Sequence, residues 1–189
     1  MALDAVSAIT RDHRAMERLF EQCKKNTDQR SALVAEIKSR LTAHSKAEEE
    51  RVYPEIVKAE PGEKQEVHHG VHEHREAEEK LAKVEAADPQ SNEFDRALDE
   101  FVAAVQHHVQ EEESEILPAL AEAVARKRLE ELGEAFEERR TQLLTAGGVE
   151  ESAVNDDLTR DELYELAKQA DIPGRSSMTK EELVRALRR

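Results

Sequence analysis

Two segments of the chain place a histidine four residues ahead of a glutamate and ten residues ahead of a proline. LTAHSKAEEERVYPEI runs from Leu41 to Ile56, and VQHHVQEEESEILPAL from Val105 to Leu120. With Pro54 set on Pro118, His44 falls on His108 and Glu48 on Glu112. On a helix, residues four apart share a face one turn apart, so each pair can address one centre from the same side. Imidazole and carboxylate without thiolate is a donor set for iron or manganese, and zinc accepts it too.

These pairs interrupt helical apolar stripes. A first helix, about Asp4 to Lys25, carries Val6, Ile9, His13, Met16, Phe20 and Cys23 on one face. A second, about Ser31 to Ala59, carries Val34, Ile37, Leu41, His44, Glu48 and Val52 in one phase. Pro61-Gly62 ends it. A third, about Glu63 to Ala86, reads Val67, Val71, His74, Ala77 or Glu78, Leu81 and Val84. After Asp88-Pro89 a fourth, about Asn92 to Arg126, reads Phe94, Leu98, Phe101, Val105, His108, Glu112, Ile116 and Ala119. A fifth amphipathic piece, about Leu129 to Leu144, is expected to pack outside the bundle or to close one end.

Ionised groups at core positions cost several kcal/mol each unless they are compensated. Four antiparallel helices can aim His13, His44 with Glu48, His74, and His108 with Glu112 at one point, and bundle cores hold two-metal carboxylate sites in this way. If both glutamates bridge two ions, each ion receives two imidazoles and two carboxylate oxygens, leaving a position for a diatomic molecule or peroxide. His107 and Glu111 have the same spacing but leave the apolar stripe, so His108 and Glu112 are preferred. Glu49 and Glu113 are expected in solvated acidic runs, with support of a ligand histidine as the alternative. Tyr53 reads as a packing residue near the bundle end. Cys23 reads as a small core residue.

DHRAMERLF around His13, HSKAEEERVYP from His44, HEHREAEEKL around His74 and HHVQEEESEILP from His108 resemble the hemerythrin-like, or HHE cation-binding, domains over about residues 4 to 145. The resemblance implies a four-helix bundle with a non-haem di-iron centre, its ligands supplied by the six positions above. Oxygen-carrying hemerythrins place a second histidine four residues before the one corresponding to His74; Gly70 stands there, which counts against reversible oxygen carriage. His69, or His68 with His72, is the candidate source of a fifth imidazole.

Aromatics make up 3% of the 189 residues and charged residues 38%, a balance that favours an all-α protein over sheets. The net charge of −15 opposes nonspecific nucleic-acid binding by the body. No secretion signal or long apolar run is present in MALDAVSAITRDHR or elsewhere, so a cytoplasmic, non-membrane protein is expected. Thr145 to Asp157 reads as a linker, giving a bundle over 1–145, a linker over 146–157 and a small helical module over 158–189. That module has two Thr-x-x-Glu helix starts, Thr159 with Glu162 and Thr179 with Glu182, flanking Pro173-Gly174-Arg175. It resembles SAP-type modules and the N-terminal module of terminator Rho. Residues 174–189 hold five Lys/Arg against two Asp/Glu, whereas the rest of the chain holds 23 against 41. Weak nucleic-acid binding through Arg175, Lys180, Arg185, Arg188 and Arg189, or protein docking, is expected of this tail. Binding of or reaction with O2, NO or peroxide, with enzymatic turnover left open, is expected of the bundle; a noncatalytic metal-binding regulator is the alternative.

Overall fold

A computed structural model of the chain describes residues 3–146 and, beyond them, residues 160, 163, 164, 174, 175, 178–180, 182 and 183. Two compact units result, Met1–Gly147 and Gly148–Arg189. The first is all-helical among its described residues: α1 (Ala5–Lys25), α2 (Arg30–Arg51), α3 (Tyr53–Ala59), α4 (Lys64–Ala86), α5 (Asn92–Glu111), a π-helical turn (Glu112–Ile116), α6 (Leu117–Ala123) and α7 (Arg126–Ala146). Helices α1, α2, α4 and α5 pack in a ring as a four-helix bundle.

The helix starts are chemically marked. Asp4 accepts the Ser7 backbone N–H at 2.8 Å, and Ser91 accepts that of Phe94 at 3.1 Å, each quieting an orphan donor of the first turn. The two helices expected to be continuous, the second and the fourth, are each broken. Pro54 has no N–H to return to Glu50, and α2 gives way to α3 at Val52. Pro118 has none to return to Ser114, and the chain widens into a π turn in which the Leu117 N–H reaches the Glu112 carbonyl.

The apolar stripes form two separate clusters. One gathers Met16, Phe20, Cys23, Ile37, Leu41, Leu81, Phe94 and Phe101, and the other Ile9, Val52, Tyr53, Ile56, Val67, Ile116, Leu120 and Phe136. His13, His44, Glu48, His74, His108 and Glu112, all buried, fall along their helices between the two. Cys23 is buried, and burial pushes its thiol up.

The fifth helix, α7, lies along α1 and α2. It buries Leu132 and Phe136, and Gly133 lets it approach the start of α1, where a Cβ would collide with the backbone of Leu3, Asp4 and Ala5. In the second unit, Thr179 and Glu182 form a reciprocal capping box: the Thr179 N–H donates to Glu182 Oε2 at 2.8 Å, and the Glu182 N–H to Thr179 Oγ1 at 3.3 Å. Leu163 and Leu183 are buried, and Gly174 takes a left-handed φ of 76° in the turn. Thr159, Glu162, Pro173, Arg185, Arg188, Arg189 and the linker 147–157 lie outside the described residues.

Gly133→Ala should cost about 1–3 kcal/mol, because backbone cannot yield to a new methyl as a flexible side chain can. Gly62→Ala, where a Cβ meets nothing within 4 Å, should stay within about 0.5 kcal/mol. Thermal denaturation of the two variants checks the contrast.

Candidate metal centre

The six positions singled out by the stripes converge. His13, His44, Glu48 and Glu112 present ligand atoms within 4.8 Å of one another, and so do Glu48, His74 and His108. His13 Nε2 lies 3.2 Å from Glu112 Oε2, and His44 Nε2 3.1 Å from Glu48 Oε1. Glu48 Oε2 faces the other way, 3.4 Å from His74 Nε2. One carboxylate thus stands between two histidine pairs.

What aims the histidines is a closed cycle of hydrogen bonds around the bundle. The Nδ1–H of His44 on α2 donates to Asp12 on α1 at 2.9 Å, and that of His74 on α4 to Glu49 on α2 at 3.0 Å. The Nδ1–H of His108 on α5 donates to Glu73 on α4 at 2.9 Å, and that of His13 on α1 to Glu113 in the π turn at 2.8 Å. Each carboxylate sits next in sequence to an inward ligand of its own helix and supports the histidine of the following one. The proton at Nδ1 leaves Nε2 with its lone pair turned inward. Two of the carboxylates are themselves anchored, Asp12 by the buried Arg140 of α7 at 2.6 Å and Glu113 by Arg14.

This arrangement fits a cation. With a proton on each Nδ1, the Nε2 atoms of His13 and His44 at 3.2 Å, and of His74 and His108 at 3.0 Å, turn lone pairs toward each other unless a proton or a cation lies between them. All four oxygens of Glu48 and Glu112 are buried without a hydrogen-bond partner. Left to themselves these groups titrate abnormally. Burial opposes ionisation of His13, but the close contact and charge of Glu112, with Glu48 and Glu113, outweigh it and lift His13 to about 9. Burial presses His44 down to about 4, although Asp12 holds its Nδ1. Burial and the charge of Glu112 raise Glu48 well above the carboxylate range; Glu112, despite its burial, is held low by His13. Protons here partly do the work that a divalent ion would do.

Sequence reasoning missed Asp12, Glu73 and Arg140. The only available signal for the first two was their position immediately before His13 and His74. Glu49 and Glu113, expected mainly in solvated runs, take the supporting role. His69 stays outside both buried groups with its side chain 50% exposed, and His107 is 63% exposed. Being five residues from His74, His69 is turned off the inward face by more than a quarter of a revolution. The reading of Tyr53 as a residue of the bundle end also changes. It is buried, its ring stacks on His74 with centroids 5.8 Å apart and planes at 8°, and a Cβ on Gly70 would come 3.0 Å from its hydroxyl. Tyr53 therefore fills from across the bundle the space beside the Gly70 position, and its hydroxyl has no hydrogen-bond partner.

A four-helix bundle with inward imidazole and carboxylate donors defines a cation-binding helical protein. The chain matches the family described as the Hemerythrin HHE cation binding domain over residues 4–120, and it belongs to that family. It is 30% identical over 134 residues to an uncharacterized hemerythrin-like protein of Schizosaccharomyces pombe, covering 69% of this chain and 66% of that relative's length. No solved structure is matched. Among the described residues, no helix is long and apolar enough to cross a membrane.

His108→Ala or Glu112→Ala should lower metal at the buried centre and thermal stability together, while His107→Ala leaves both nearly unchanged; metal analysis and melting check the ranking. Asp12→Asn should weaken metal binding by about 10- to 100-fold, the usual effect of losing a partner that orients a ligand.

Metal uptake by metal-depleted protein should release protons at pH 7, since His13, raised to about 9, must shed one to become a ligand. Affinity should therefore rise with pH toward 9. Proton release followed with an indicator dye tests this, and uptake without release would remove His13 from the ligand set.

Proposed function

We propose that this chain is a non-haem di-iron protein that binds or reacts with O2, NO or peroxide, with His13, His44, Glu48, His74, His108 and Glu112 as ligands. The observation that carries the reading is Glu48, whose two oxygens are turned toward different histidine pairs. That is the disposition of a carboxylate shared by two ions, and the donor set suits iron or manganese better than a structural zinc site closed by four donors. Bound iron supplies one-electron redox chemistry and open coordination positions.

The protein residues do the rest. Asp12, Glu49, Glu73 and Glu113 hold the imidazoles in one tautomer and one orientation. Burial raises the Tyr53 phenol well above its usual range, and the charges of Glu112, Glu48 and Glu49 add to this, so its hydroxyl keeps its proton beside the centre and can donate it in a hydrogen bond. A cleft of about 570 Å³ lies on the outer side of Tyr53, with Val57, Val67 and Val71 on its walls and His68, His72 and Arg75 also lining it. Its size suits a small molecule, and Tyr53 stands between it and His74.

The second reading, a noncatalytic metal-stabilised regulator, draws on the tail. The capping box at Thr179 and the buried Leu163 and Leu183 support a folded helical module after the bundle, suited to docking on nucleic acid or protein. Protein purified from iron-replete cells should hold about two irons per chain and show near-ultraviolet charge-transfer absorption. One tightly held zinc without such bands after aerobic iron loading would sink the di-iron assignment. Peroxide turnover by the iron-loaded protein separates the two readings: steady consumption favours the first, and its absence the regulator.

A further inference from the structure

Outside the buried centre, α4 and α5 carry a second set of His-x-x-x-Glu pairs. His69 and Glu73 are four apart on α4, His107 and Glu111 four apart on α5, and the two pairs face each other across the helix interface. His69 Nε2 lies 3.7 Å from Glu73 Oε1 and 3.5 Å from Glu111 Oε2. His107 Nε2 lies 3.3 Å from Glu111 Oε1 and 3.9 Å from the same Glu73 Oε1. Ligand atoms of His69, Glu73 and Glu111 lie within 4.8 Å of one another, and His107 stands beside them within reach of both carboxylates.

The spacing is wider than in the hydrogen bonds of the bundle and leaves room for an ion. Where histidine donates to a carboxylate elsewhere in this bundle, the separation is 2.8 to 3.0 Å. Donors bound to one ion at about 2.1 Å in a tetrahedral shell lie about 3.4 Å apart, close to the outer separations and to the 3.1 to 3.4 Å of the buried donors.

Charge points the same way. Asp12 and Glu113 turn a second oxygen toward an arginine, but Glu73 and Glu111 meet only imidazole nitrogens among the ion pairs of the described residues. Two carboxylates converging with His69, with His107 beside them and no lysine or arginine among their ion pairs, can be satisfied together by a divalent ion. Nitrogen donors make this a site for a transition ion and not for calcium or magnesium, which take all-oxygen shells.

We propose that His69, Glu73, His107 and Glu111 form an outer binding site for a divalent transition ion of the zinc type, joined to the buried centre through Glu73. Glu73 is the link because its Oε2 accepts from His108 while its Oε1 faces outward. An ion held there is one carboxylate away from a ligand of the inner site, so the outer cluster is a place where incoming metal is captured.

The test uses the full chain saturated at its buried centre with whichever metal it purifies with, so it does not depend on the iron assignment. Titration with Zn²⁺ by calorimetry should find one further ion per chain while the buried metal stays in place. His69→Ala/His107→Ala, both at exposed positions, should weaken that uptake at least tenfold without changing the buried metal content, and Glu111→Gln should weaken it too. Absence of the extra ion, equal uptake by the double variant, or uptake only in exchange for buried metal would each overturn the proposal.

Discussion

Everything in this bundle answers to one constraint: six groups that carry or acquire charge are held out of water at a single level of the core. An ion moved from water to a protein interior costs several kcal/mol even after relaxation, and only precise pairing offsets it. The protein meets this with the cycle of four imidazole–carboxylate bonds. Because each bond joins two helices, the cycle ties α1 to α2, α2 to α4, α4 to α5 and the π turn back to α1. The same contacts that orient the ligands therefore fix the helices relative to one another, and the apolar clusters above and below need only fill the remaining space.

The cycle explains features that a plain bundle would not need. Asp12 is fully buried, and Arg140 supplies the positive charge that keeps it ionised there; Arg140 is available only because α7 lies along α1 and α2. Phe136, one turn earlier on α7, sets its edge against the His44 ring at 5.7 Å. The fifth helix thus belongs to the site as much as to the fold. The π turn carries Glu112, an inward group, beside Glu113, the support of His13, and Pro118, which has no N–H to return to the preceding turn, stands just after it.

The sequence made the inward positions legible because polar residues that recur in phase with apolar stripes on four helices need a common compensation. His13, His44, Glu48, His74, His108 and Glu112 could be assigned to the core by helical periodicity, and the helix ends by Pro, Gly and capping residues. The orienting carboxylates were not legible in the same way. Asp12, Glu49, Glu73 and Glu113 sit one residue off the stripe, where a solvated acid is the ordinary occupant, and only the neighbouring helix reveals their partner. Arg140 was hidden for the same reason, since its partner is 128 positions away. The breaks at Val52 and Glu112 could have been read from Pro54 and Pro118, which served only to align the repeat. Tyr53 packs in the apolar cluster as its pattern suggests, but its contact with His74 lies on another helix, which no periodicity within its own segment shows.

The two sides of the centre are not equivalent, although the ligands come in matched pairs. The side of His13 and His44 is closed by Phe136 and by the buried Asp12–Arg140 pair. The side of His74 and His108 meets Tyr53 and the bare backbone at Gly70, and beyond Tyr53 lies a cleft lined by Val67 and Val71. A histidine at position 70 would place an imidazole where the phenol now stands; glycine there leaves room for an aromatic group carrying an unpaired O–H. On the di-iron reading, an incoming molecule is expected to approach from this side, where Tyr53 holds its hydroxyl beside the centre. Glu73, on the same helix as Gly70, is the residue through which the proposed outer cluster would reach this side of the centre.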